Sequence, residues 1–77
     1  MKEYKCWLSI RGEKFFDYGC ITYDYLKELM RCKHVKRIRF YKRGIYTYFS
    51  YWYQNSWYER EHILLRIEGD FDEICKE

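Results

Sequence analysis

Four cysteines, Cys6, Cys20, Cys32 and Cys75, and two histidines, His34 and His62, are the side chains of this sequence best suited to holding a metal or acting as nucleophile and base. Thiolates and imidazole select zinc over magnesium or calcium, and ligands on separate elements would clip together a domain with a small core. Consecutive cysteines are 14, 12 and 43 residues apart, with no C-x-x-C knuckle of the kind that marks a structural zinc site. Three readings stay open: independent buried thiols, since cysteine packs as a small hydrophobe; a zinc site, to which Cys32-x-His34 adds a fifth candidate ligand; and disulfides. Buried reduced thiols with no cofactor are the expectation, and zinc is the alternative.

Acid–base chemistry has thinner support. His34 is expected near a helix C-terminus, where it complements the negative end of the dipole, and His62 on the surface of a strand. Glu59 and Glu61 would share one side of a strand about 7 Å apart, near the separation of paired carboxylates. The plainer reading is that they pair with neighbouring cations. The sequence has no Gly-rich phosphate loop, activated-serine motif or metalloprotease helix motif. A non-enzymatic protein is expected.

The densest signal is a surface one. From Tyr46 to Tyr58, eight of thirteen residues are aromatic: Tyr46, Tyr48, Phe49, Tyr51, Trp52, Tyr53, Trp57 and Tyr58. Residues 31–43 just before them carry seven cations, Arg31, Lys33, Lys36, Arg37, Arg39, Lys42 and Arg43, and no acid. A charge run can be a merely solvated face. Rigid aromatic rings beside cations, however, give contact area and long-range attraction together, which is what a macromolecular partner requires.

Positioning these groups calls for a sheet. Tyr4, Cys6, Leu8 and Ile10 alternate with polar residues and Trp7, the period of a half-buried strand. Arg11-Gly12 marks a turn, and residues 14–20 read as a short second strand or a loop. Thr22 is placed to cap a helix over about 23–33, with Asp24 at its positive end and an apolar stripe of Tyr25, Leu26, Leu29, Met30 and Cys32. A three-stranded meander follows: 35–42, an Arg43-Gly44 turn, 45–53, a turn at 54–56, and 57–67. In that register Ile38 faces Phe49 and Phe40 faces Thr47, with Ile63, Leu65 and Ile67 on the same side. The other side collects Arg37, Arg39, Tyr41, Tyr46, Tyr48, Trp52, Tyr58, Arg60, His62 and Arg66. Apart from His62, these are the candidate partner-binding residues. A three-residue turn would slip the register by one and turn Tyr46 and Tyr48 inward. Asp70 to Lys76 reads as a short closing helix. The fold expected is α+β: one helix packed on a small antiparallel sheet, in a single domain over 1–77.

The chain has 77 residues, net charge +3, 3 Trp, 10 Tyr, 5 Phe and no proline. A domain this small buries only about 60% of its unfolded surface, which leaves little room for an internal cavity and favours action at the surface. One helix can cover one face of the sheet, so the surplus aromatics are expected on the other. No stretch is apolar enough to span a membrane, and the N-terminus lacks a signal-peptide core, so a reducing cytoplasm is expected. The C-terminus is acidic, with Glu68, Asp70, Asp72, Glu73 and Glu77.

In size, tyrosine-rich and charged composition, the residue usage of an AT-rich genome and lack of catalytic motifs, the whole chain resembles the small phage-encoded inhibitors of bacterial defence, such as anti-CRISPR proteins. That group shares no sequence motif, so the resemblance transfers no individual residue. It implies a stoichiometric inhibitor in the cytoplasm of a bacterial host, binding a protein or ribonucleoprotein complex such as a CRISPR nuclease. The basic block fits an acidic protein surface or a guide RNA better than DNA mimicry. Two alternatives stand beside it. One is a module for single-stranded RNA or DNA, with Tyr46, Tyr48, Trp52 and Tyr58 stacking on bases and Arg37, Arg39, Arg60 and Arg66 on phosphates. The other is a zinc-clipped adaptor.

Overall fold

Cys6, Leu8 and Ile10 of the first strand stand opposite Ile67, Leu65 and Ile63 of the last, and this pairing organises the fold. In the computed structural model, which describes residues 2–56 and 59–69, the elements are β1 (Tyr4–Ile10), β2 (Phe16–Ile21), α1 (Tyr23–Arg31), β3 (Val35–Arg43), β4 (Tyr46–Ser56) and β5 (Glu59–Glu68). The strands form one antiparallel sheet in the order β2-β1-β5-β4-β3.

The expected α+β class is therefore corrected. The molecule is mostly sheet: five antiparallel strands and a single nine-residue helix among the described residues. Apolar alternation on β1 and β5 shows that each has a face to bury, but local periodicity does not say which strands pair. Joining β1 to β5 satisfies the backbone groups of both and brings β2 into the same sheet, so residues 16–21 form a strand rather than a loop. The expected closing helix at 70–76 lies outside the described residues.

Two turns show how local chemistry sets register. Arg11 and Gly12 both have positive φ, 57° and 77°, and Glu13 N donates to Ile10 O at 3.1 Å, the pattern of a type I′ turn. Between β3 and β4 the loop is Gly44-Ile45 rather than Arg43-Gly44, with Gly44 at φ 59°. Phe40 therefore faces Phe49, Tyr41 faces Tyr48 and Arg43 faces Tyr46, and the predicted pairs Ile38 with Phe49 and Phe40 with Thr47 do not form. The displacement is two residues, so it changes partners without exchanging faces. Residues 54–56, expected as a turn, continue β4.

Thr22 caps α1: its Oγ1 accepts from Tyr25 N at 3.2 Å. The helix ends at Arg31, two residues before the expected end, with Cys32 in extended conformation at the C-cap. It lays Leu26 on the sheet beside Cys6, Phe49, Leu65 and Ile67, with Tyr23, Tyr25, Leu29 and Cys32 half-buried around them. Met30, assigned to the stripe, is exposed. Phe49 and Ile67 are fully enclosed, each burial contributing roughly 1.5–3 kcal/mol. Of the residues expected to be buried in the meander, Phe49 and Leu65 are; Ile38 and Ile63 are half-buried, and Phe40 is exposed because β3 is an edge strand. Among the described residues no helix is long and apolar enough to cross a membrane.

Candidate binding face

The side of the sheet away from α1 is laid out in rows by the strand register. From β3 toward β1 they run Arg43, Tyr46, Glu68; then Tyr41, Tyr48, Arg66, Trp7; then Arg39, Ser50, Leu64, Ser9; then Lys36, Trp52, His62. Arg60 follows His62 at the same parity on β5. Seven of the nine predicted partner-binding residues, Arg39, Tyr41, Tyr46, Tyr48, Trp52, Arg60 and Arg66, thus share one face. Arg37 reaches it from a β-bulge, and Tyr58 lies outside the described residues.

The face has two ends of different character. At one end Arg66 is held among rings: its guanidinium carbon lies 4.6 Å from the centroid of Phe15, 4.8 Å from Trp7 and 5.0 Å from Tyr46. Arg66 Nε is buried with no hydrogen-bond partner among the described residues. The charge rests on π faces, an arrangement a planar guanidinium makes better than an ammonium. Trp7 meets Tyr46 edge-on at 5.9 Å, Phe15 meets Tyr48 at 6.4 Å, and Tyr41 stacks on Tyr48 at 5.1 Å with planes 10° apart. Tyr46 and Tyr48, expected as open stacking platforms, are consequently half-buried under Arg66 and Phe15, while Tyr41 is exposed.

The other end centres on Trp52, which is 37% exposed. Its ring packs 5.1 Å from His62, and His62 Nε2 shares a 2.8 Å hydrogen bond with Ser50 Oγ. A serine and a histidine at that distance are the beginning of a nucleophile–base pair, yet no carboxylate orients the other ring nitrogen among the described residues. The bond instead fixes the imidazole against the indole. Clefts open around Trp52: one is lined by Lys36, Arg37, Gln54 and Arg60, a second by Arg37, Arg39, Ser50 and His62, a third by Arg11, Gly12, Arg60 and His62. Among the described residues none of these linings includes a carboxylate. The strand register shifts between Lys36 and Arg39, and Arg37 takes φ 55° there. A long side chain in the left-handed region costs about 1–2 kcal/mol, and a bulge re-aims the residues it contains.

Trp7, Phe15 and Lys36 belong to this face without having been assigned to it. Trp7 was legible on the outward side of β1, but only its pairing with β5 puts it beside Arg66. Phe15 arrives from the loop before β2, for which no periodicity exists.

Among the described residues the remaining candidates do not assemble into a second site. Cys6 is fully buried, Cys20 exposed and Cys32 half-buried; all three are free thiols, and Cys75 lies outside the described residues. No group of three or more His, Cys, Asp or Glu is gathered to hold a metal among the described residues. Burial pushes the Cys6 thiol up to about 12, with Asp17 and Cys20 adding to the effect, so it is an inert proton-bearing group. His34, expected to complement the helix dipole, donates from Nδ1 to Gln54 O at 3.0 Å and ties the start of β3 to β4. Glu61 is bound to Arg11 at 2.6 Å, the plainer of the two readings of that glutamate.

No protein-family model matches the chain, and neither the curated proteins nor the solved structures contain a match to it.

Proposed function

We propose that this protein is a non-enzymatic binding protein that docks through the aromatic and basic sheet face on a larger anionic partner, a host protein or ribonucleoprotein complex, and blocks it stoichiometrically. The observation that carries the docking face is the convergence of Lys36, Arg37, Arg39 and Arg60 around Trp52, with no carboxylate among the described lining residues. Like charges gathered at one place repel, and the repulsion is relieved when an anionic surface covers them. The surrounding rings supply rigid apolar area that anchors a complex once formed. The inhibitory role rests on the compositional resemblance to phage-encoded inhibitors of bacterial defence.

The test is affinity capture from bacterial lysate with the wild-type protein and with Arg37→Glu combined with Arg39→Glu. The wild type should retain a defined complex at one copy per complex, and the purified complex should lose activity in step with occupancy. The reversed variant, showing the same circular dichroism, should retain nothing. Equal capture by both proteins would dismiss this face as the docking surface.

A further inference from the structure

We propose that the cleft around Trp52 is a binding site for single-stranded nucleic acid, with Lys36, Arg37, Arg39 and Arg60 on successive backbone phosphates and the Trp52 indole stacked on a base. This deepens the preceding reading and rests on it: it names the chemistry that the working face meets first.

Three observations converge on the cleft. The ion pairs among the described residues, Arg11 with Glu61 and Lys27 with Asp24, leave these four cations out. Arg37 holds a left-handed backbone conformation that strains a long side chain, and strain of this sort persists where the geometry serves a site. Its bulge places Lys36, directly opposite Trp52, and Arg39, opposite Ser50, on the same face with Arg37 between them. Finally, the indole is partly exposed and packed against the neighbouring ring of His62, which Ser50 in turn holds, so it offers a supported flat surface among the cations.

The combination selects among anionic partners. A run of acidic residues would satisfy the cations but brings no flat group for the indole. A duplex presents phosphates while its bases stay stacked inside, out of reach of Trp52. A strand with unpaired bases carries a phosphate and a flat ring at every unit and so meets both requirements, and every base has a π face, so binding is tolerant of sequence.

The experiment is fluorescence anisotropy of the full chain with labelled twelve-nucleotide oligo-dT and oligo-U over a salt series, with polyglutamate and a duplex of equal length as competitors. Single strands should bind, with affinity falling as salt rises. Arg37→Gly removes one phosphate contact while leaving the bulge backbone at ease; it should weaken binding several-fold and flatten the log–log salt slope by about 0.7. Trp52→Ala should weaken binding by about tenfold with the slope unchanged, and Trp52→Phe should recover part of the loss. The proposal is overturned if no single strand binds at low salt, if polyglutamate displaces the strand equally well per charge, if duplex binds as tightly, or if Trp52→Phe and Trp52→Ala both bind like the wild type. If strands fail to bind while the Arg37→Glu, Arg39→Glu protein still loses its captured complex, this inference alone falls and the docking face stands.

Discussion

The two faces of the sheet are built from alternate residues of the same strands, and both are rich in aromatic rings, yet they are held by different physics. On the helix side Phe49, Leu65, Ile67 and Cys6 are enclosed by α1 and by one another, a dry interior in which shape and burial decide stability. On the far side none of the described elements covers the rings; Arg66 and Phe15 lie across Trp7, Tyr46 and Tyr48, and beyond them Trp52 stands among cations. The first face spends its aromatics on the fold. The second retains rings and charges that the fold does not consume, and this surplus is what the proposed docking would use.

Substitutions should separate the two. Phe49→Ala removes the central ring of the enclosed face and should lower the unfolding free energy by about 3–5 kcal/mol in urea titrations; a loss under about 1 kcal/mol would mean that this face is not a packed core. Alkaline pH probes the same interior. Burial raises the Cys6 thiol to about 12 from 9.0 and the Tyr51 hydroxyl to about 12 from 10.0. The folded chain therefore keeps protons that the unfolded chain releases, and stability should be level to about pH 9 and then fall as pH approaches 12. Cys6→Ala, though less stable at neutral pH, should show a shallower fall in urea midpoint across that window; an unaltered slope would show that the thiol is not the titrating group.

On the open face the effects should be smaller. Arg66→Ala should cost about 1–2 kcal/mol through the lost cation–π contacts and stem packing, with Arg66→Lys in between. An unchanged urea midpoint would make the Arg66 cluster ornamental. Thr22→Ala tests whether the helix is what closes the other face: loss of the cap should cost about 1 kcal/mol, read by thermal melting. Arg37→Gly should change stability least. Relief of about 1–2 kcal/mol of left-handed strain is opposed by about 0.5–1 kcal/mol of glycine backbone entropy, so its melting temperature should equal or exceed that of the wild type. A marked drop would show that the Arg37 side chain supports the fold rather than the cleft.

Much of the open face was legible because strand parity is a local property. Arg39, Tyr41, Tyr46, Tyr48, Trp52, Arg60 and Arg66 sort to one side whether the β3–β4 turn is Arg43-Gly44 or Gly44-Ile45, since the two registers differ by an even step. Exposure was not legible in the same way. Tyr46 and Tyr48 lose their openness to Phe15 and Arg66, which come from a loop and from a strand that is not adjacent in sequence to the loop. The bulge at Arg37 was also hidden, because nothing in Lys-Arg-Ile-Arg announces a left-handed residue as glycine would.

Composition, parity and capping are encoded over a few residues, and so the sequence by itself determined where β1 runs, where α1 begins, and which residues share a side of β4 and β5. The class of the fold was decided by tertiary structure. Whether β1 joins β5 depends on the cost of closing a loop of some fifty residues against the burial won by Cys6, Leu8, Leu65 and Ile67, a balance that no local window contains. Once that pairing forms, the helix becomes a minor cover on a five-stranded sheet, and the face opposite it becomes continuous from Trp7 to Lys36.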